Sequence, residues 1–363
     1  MSELSPEANL SSSTSATPAE LPDTSEASLA LGHRYLDEGN FVEAQRAFDK
    51  ALALDPSNAA ARHNQGYALE CQGAGEEAKT AYETVLTSPT PLAQSAFNLG
   101  VLLARLGREA EAKGAFAQAL ALNPNLVLAH VNLGALDARA GRMAEAHHSY
   151  QEALAIDEHC HSARLKLAHL LAREGRWDEA LCEYTRLVEE GCNLAAMHYG
   201  RGLALATRTD DAQAIQAYQR AIEADPNHVN ARVNLGLLYA QREQYEQAAE
   251  TLQQAAELAP GDARMHYNLA NMHARRAIEG GEITSYSYAD AAITAYRRAI
   301  ALEPQFSKAY YNLACVSEKI SVQDGMAAWE QYVSVASKMA SEQEWVAKAH
   351  GYLRRLKEIE AGG

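Results

Sequence analysis

The sequence predicts an all-α solenoid of about nine stacked helix pairs, and three observations predict it. A spacing of 34 residues recurs in phase, with copies starting at Ser25, Ala59, Ala93, Val127, His161, Ala195, Val229, Ala263 and Ser307. Within a copy, two stretches carry apolar residues three and four apart, the helical period. Residues that stop helices, glycine and proline above all, fall between and after these stretches. A single helix pair cannot bury both of its apolar faces, so it needs another pair beside it.

Composition narrows the reading further. The chain has 363 residues, enough for two or three compact domains or for one long array. Its 47 acidic residues outnumber its 32 Lys and Arg, for a net charge of −15. That balance argues against nonspecific binding to nucleic acid or to an anionic membrane. No apolar run is long enough to span a bilayer, and the N-terminus has no basic-then-apolar signal pattern. The five cysteines (Cys71, Cys160, Cys182, Cys192, Cys315) are scattered, odd in number and free of CxxC spacing. Free thiols in a reducing cytoplasm are therefore expected.

Taken in order, residues 1–24 form a tail rich in Ser, Thr and Pro, with Glu3, Glu7, Glu20 and Asp23 but no Lys or Arg. A disordered, solvated tail is expected, with tethering or phosphorylation as the alternative. The array follows at residues 25–340, and its third copy, Ala93–Leu126, is the most complete. Phe97, Leu99, Val101, Leu102, Leu103 and Leu106 line a first helix, which Gly107 ends. Ala112, Phe116, Ala119 and Leu120 line a second, which Asn123-Pro124-Asn125 stops. Position 8 of the copies is Gly32, Gly66, Gly100, Gly134, Ala168, Gly202, Gly236, Ala270 and Ala314, where two helices approach closely. Position 20 is Ala through the first seven copies, and position 24 is a large residue such as Phe48, Tyr82, Phe116 or Tyr150, filling the gap between units.

These residues resemble the tetratricopeptide repeat (TPR), whose pattern places Leu-Gly, an aromatic, Ala, an aromatic and Pro in this order. The resemblance implies antiparallel helix pairs stacked in a right-handed superhelix, with first helices lining the concave side. Some copies depart from it. Copies four and five end at Glu158 and Cys192 where proline would sit, copy two has Pro89 and Pro91 flanking that place, and copy six has Arg201 at an apolar position. Copy eight is stretched by ten residues within 276–288, where Gly280-Gly281 reads as a turn. That insert is either a slack loop between longer helices or a contact loop using Tyr286 and Tyr288. Copy nine is degenerate, with Gly325, Trp329 and Tyr332 at its packing positions. Residues 341–363 form a capping helix, opened by a Ser341–Glu344 capping box. Its stripe of Trp345, Ala349, Tyr352, Leu353, Leu356 and Ile359 covers the end of the array.

No catalytic or nucleotide-binding motif appears, so a non-enzymatic protein without cofactor is expected. The run Asp157-Glu158-His159-Cys160-His161 cannot easily converge on one ion, and no metal site is assigned. The informative set is the inner stripe of the first helices. Position 6 carries Asn64, Asn98, Asn132, Asn234, Asn268 and Asn312. Asparagine is a mediocre helix former, and its amide offers donor and acceptor together. Either the ladder bonds the backbone of an extended peptide, or each Asn bonds the adjacent helix and fixes stacking. The ladder resembles that in the TPR region of the O-linked N-acetylglucosamine transferase, though no catalytic domain follows here. Position 13 carries Arg105, Arg139 and Arg173, either a cationic track or charges that offset helix dipoles. Position 5 adds an apolar and aromatic rail that includes Phe97, Tyr199, Tyr267 and Tyr311.

The TPR subclass that clamps C-terminal carboxylates is disfavoured, because Leu29, His33, Gln94 and Asn98 stand where its Lys, Asn and cations belong. The expected function is a cytoplasmic protein-binding scaffold. It takes an extended peptide or flexible segment of a partner protein, acidic or phosphorylated, in the concave groove; nucleic acid and membrane are not expected partners, and oligomeric state is open. The alternatives are an adaptor that uses the convex face, insert or last helix, and a detached regulatory subunit that presents substrates to a separate enzyme.

Overall fold

The computed structural model describes residues 23–279 and 281–362. The tail expected at residues 1–24 lies outside them except for its last two residues. The chain is an all-α solenoid of paired helices that divides into two compact units, Met1–Glu183 and Tyr184–Gly363.

In the first unit, α1 (Ser25–Asp37) pairs with α2 (Phe41–Leu54), α3 (Ala59–Cys71) with α4 (Gly75–Leu86), α5 (Ala93–Arg105) with α6 (Glu109–Leu122), and α7 (Val127–Arg139) with α8 (Met143–Ile156). Next come α9 (His161–Arg173) and α10 (Trp177–Glu189), within which the division falls. Each first helix begins at the residue that opens its copy. The connecting turns place Gly39, Gly73, Gly107, Gly141 and Gly175 at φ between +74° and +83°, a conformation glycine adopts without a Cβ clash. First helices of successive copies also touch, α1 with α3, α3 with α5 and α7 with α9.

The glycine at position 8 is explained by the ring at position 24 of the same copy. A Cβ on Gly100 would lie 2.6 Å from the Phe116 ring, and one on Gly134 would lie 2.7 Å from Tyr150. The ring therefore packs onto the glycine of its own copy, rather than only filling the space between copies. Ala44, Ala78, Ala112 and Ala146 at position 20 are fully buried and keep the pair closely spaced. Ala96, Leu99, Val101 and Phe116 belong to one apolar cluster that extends to Tyr82 and Ala129 of the flanking copies.

The second unit repeats this plan through α11 (Ala195–Thr207), α12 (Asp211–Ala224), α13 (Val229–Gln241) and α14 (Tyr245–Leu258). Its inter-helix turns put Thr209 and Glu243 at φ of 59° and 60°, where the first unit uses glycine. Copy eight lacks that turn. Helix α15 (Ala263–Ala277) runs on through a buried Ala277 into β1 (Ile278–Glu279) and β2 (Glu282–Ile283), a short antiparallel ribbon before α16 (Tyr286–Leu302). The insert is thus an ordered hairpin rather than a slack loop. Gly280 of the expected turn lies outside the described residues; Gly281 has φ of +91° and its carbonyl accepts from Lys319 Nζ at 2.6 Å. The Arg276 guanidinium lies 3.9 Å over the Tyr288 ring and donates to its hydroxyl, so Tyr288 is tied to the fold, whereas Tyr286 is 63% exposed.

Copy nine comprises α17 (Ser307–Ile320) and α18 (Val322–Ala336), sharing Ser321 as a one-residue joint. Gly325 packs on the Glu318 backbone, and Trp329 donates from its indole nitrogen to Glu318 Oε2 at 2.9 Å. The last helix, α19 (Gln343–Gly362), differs from expectation at its start. Residues Ala340–Glu342 form a 3-10 turn, and the Ser341–Glu344 capping box is replaced by other bonds. Glu342 accepts from Ser307 Oγ and the Tyr332 hydroxyl, while Glu344 pairs with Lys348. The buried stripe is Val346, Ala349, Leu353 and Leu356, so Trp345 and Ile359 are left 44% and 53% exposed. Among the described residues no helix is long and apolar enough to cross a membrane.

Candidate functional site

In the first unit, helical spacing places Asn132, Ala135 and Arg139 on one face of α7, and Lys166, His169 and Arg173 on the matching face of α9. With Arg105 of α5 they line a cavity of about 580 Å³. Its floor is apolar: Leu136, Leu170 and the rings of Phe116 and Tyr150. No carboxylate is among the residues that line it.

The three arginines expected here are not equivalent. Arg105 Nη1 donates at 2.7 Å to Glu70 Oε1, a carboxylate whose side chain is 2% exposed. The Tyr82 hydroxyl donates to the other Glu70 oxygen at 3.1 Å. Burial pushes the Glu70 carboxyl above its usual range, opposed by Arg105 and the Tyr82 bond. Removing Arg105 would strand that carboxylate, so Arg105 is part of the fold. Arg139 Nη2 lies 3.3 Å from Glu109 Oε1, with both side chains about half exposed, a pair worth about 0–1 kcal/mol. Arg173 Nη1 reaches the Ala138 carbonyl only at 3.5 Å.

The asparagine ladder also divides. The Tyr82, Tyr218 and Tyr296 hydroxyls lie against Asn98, Asn234 and Asn312, each sixteen residues further on. Asn234 Nδ2 also donates to the Tyr199 hydroxyl at 3.3 Å. Asn312 Nδ2 donates to Tyr267 at 3.1 Å and to Asn271 Oδ1 at 2.9 Å. Asn64 bonds His33 across the same copy boundary at 2.8 Å. Asn98 is completely buried, with neither amide atom in hydrogen-bond geometry. Where position 24 is Phe116 or Leu252, no hydroxyl reaches forward. The Asn132 and Asn268 side chains that follow make no hydrogen bond among the described residues. Gly200 interrupts the ladder for a related reason, since a Cβ there would lie 2.4 Å from the Tyr184 hydroxyl.

The aromatic rail is mostly committed to packing. Phe97 is buried against Phe116 and does not face solvent, contrary to the sequence expectation. Tyr199 packs on Tyr218 and His228, and Tyr267 on Tyr296 and Phe306. Tyr311 meets Trp329, Tyr332 and Trp345 edge-on. A second cavity, of about 540 Å³, lies in the second unit beside Tyr267, Asn271, Arg275, Asn312 and Cys315. Its amides are already bonded to one another, and burial pushes the Cys315 thiol up to about 12.

Sequence reasoning missed Lys166 and His169 as site residues. Lys166 reads as a gap in the ladder, yet it lies seven residues before Arg173 and His169 lies four before it, both on the same helical face.

Helix pairs that present one row of inward side chains around cavities define an interaction scaffold of the repeat class. Models of the tetratricopeptide repeat match residues 208–272, residues 29–85, 131–193 and 165–229, and residues 93–126. The chain belongs to the tetratricopeptide-repeat family. No curated protein matches it. Among solved structures it is similar to pilF of Pseudomonas aeruginosa, with TM-score 0.51 and 23% identity over 61% of this chain and 96% of that one. It is also similar to a chain of the APC/C hetero-tetramer Cut9-Hcn1, with TM-score 0.50 and 18% identity over 80% of this chain and 55% of that one. At these identities the likeness concerns the fold.

Proposed function

We propose that the protein is a non-catalytic scaffold that holds an extended segment of a partner protein across α5, α7 and α9. The observation that carries this reading is the 580 Å³ cavity, lined by inward residues of three successive first helices. Asn132 lines it with an amide that has no hydrogen bond among the described residues, so it can donate to and accept from a ligand backbone whatever the ligand sequence. The apolar floor of Phe116, Leu136, Tyr150 and Leu170 supplies area for side chains of the segment.

The test is an array of unstructured peptides of varied composition, screened against the full chain. Ala135→Trp fills the cavity from a half-buried position without removing a hydrogen bond. It is expected to weaken bound peptides at least tenfold while the melting temperature stays within a few degrees of the parent. Peptides that bind the variant and parent alike would overturn the assignment to this face.

A further inference from the structure

We infer that the segment held at this cavity is acidic, its Asp and Glu carboxylates selected by Arg139, Lys166 and Arg173; the inference rests on the groove reading above. The cavity reverses the sign of the molecule. Lining residues of α7 and α9 contribute three full cations and no carboxylate, in a chain of net charge −15. A local field of that sign raises the concentration of acidic ligands at the site.

Present partners of the two arginines are weak enough to exchange. The Arg139–Glu109 pair is exposed and long, and Arg173 holds one carbonyl at the edge of hydrogen-bond distance. A ligand carboxylate accepting two parallel guanidinium bonds gives either arginine a stronger partner than it has. Arg105, by contrast, is bound to the buried Glu70 and has little to offer a ligand.

Spacing favours carboxylates over a single phosphate. Arg139 and Arg173 occupy the same place on first helices one copy apart, and packed helices lie about 8–10 Å apart. An extended chain in the polyproline II form rises about 3.1 Å per residue with three residues per turn, so acids three residues apart share a face and match that distance. Two carboxylates at that spacing give each arginine its own two-bond acceptor, where a single phosphate would be shared between them. Asn132, two turns before Arg139 on α7 and lining the same cavity, then holds backbone of the segment.

The experiment uses the full chain and three peptides of equal length, measured by calorimetry at low and high salt. One carries Asp or Glu at every third residue, one is its Asn/Gln isostere, and one carries a single phosphoserine on the neutral background. The acidic peptide is expected to bind at least tenfold more tightly than the isostere at low salt, with the gap narrowing as salt rises. Arg139→Ala with Arg173→Ala is expected to remove most of that gap by weakening the acidic peptide far more than the isostere. Lys166→Gln should reduce the gap in part, and Asn132→Ala should weaken acidic and neutral peptides alike. Both arginines are exposed, so the double variant is expected to fold, which circular dichroism checks. An unchanged acidic-to-neutral ratio in the double variant overturns the inference, as does a phosphopeptide that binds more tightly than the acidic one. If all three peptides bind alike and Ala135→Trp abolishes them, the groove reading stands and carboxylate selection falls. If none binds, both fall.

Discussion

His63 illustrates how much a single side chain carries in this array. It sits at position 5 of α3, almost entirely buried, with Nδ1 2.9 Å from Ser95 Oγ of the next copy. Burial, with His33 nearby, depresses its pKa to about 4. The neutral ring is therefore the form the fold accepts. A folded pKa below the unfolded value of about 6.5 gives stability that is complete above pH 6.5 and is lost as pH falls toward 4. Lowering pH from 7.5 to 5.8 should cost about 1 kcal/mol from this group alone. His63→Gln should melt at a temperature less sensitive to pH over that interval; equal slopes for parent and variant would remove His63 as the cause. The candidate site was legible at this scale only in part. Helical spacing puts Asn98, Asn132 and Asn234 on one stripe, but which amide is satisfied depends on a residue sixteen positions earlier, on another helix. Tyr218 reaches forward to Asn234, Tyr82 gives its hydroxyl to Glu70 and leaves the Asn98 amide unbonded, and Phe116 has no hydroxyl to offer. Phe97 was misplaced for a similar reason, because an aromatic beside a groove and one beneath it share the same period.

At the scale of elements, helix starts were legible because they coincide with the copy boundaries, and the turns because glycine marks them. Thr209 and Glu243 break that rule in the second unit by entering the left-handed region without glycine. Such a conformation costs about 1–2 kcal/mol for an L residue, and most for a β-branched one. Thr209→Gly is expected to raise stability by about 0.5–1 kcal/mol, the relief of strain less the greater entropy glycine loses on folding. A lower denaturant midpoint for the variant would mean that the turn has another anchor. The hairpin after α15 escaped prediction because ten extra residues can be divided between helices and loop in many ways. Ala277, standing where a turn glycine belongs, was the available sign. The capping box at Ser341 failed through tertiary override: Ser307 and Tyr332 hold Glu342, and the helix starts after it.

Across the whole molecule, stability should follow nearest neighbours, since helices of each unit contact chiefly the pairs before and after them. Gly100→Leu drives a side chain into the Phe116 ring, which overpacks that pair by about 1–3 kcal/mol. Hydrogen exchange should then quicken in residues 59–160 while residues 229–340 keep their protection. A uniform loss along the chain would show that the array unfolds as one cooperative block. The fold class was legible at this scale because a period repeated nine times outweighs any single departure from it. The partner was not, because under the proposed reading it is selected by a few cations whose freedom depends on their neighbours. Arg105 and Arg139 are alike in sequence position and unlike in what holds them.

The forward reach of a tyrosine to the next copy also bears on how such a protein can lengthen or shorten. Copies look interchangeable when aligned, yet each is cut to fit the one before it. The copy that opens at Ala195 offers Gly200 because Tyr184 intrudes there. The copy after it offers Asn234, which takes the hydroxyls of Tyr199 and Tyr218. Duplicating the copy that starts at Val229 would set its Asn234 opposite Leu252 and Val233, with no hydroxyl to meet it. Asn268 already stands at such a joint in the native chain, so the insertion repeats a tolerated fit and changes only which amides of the ladder are bonded. The order of repeats along the chain is as much a part of its specification as their number.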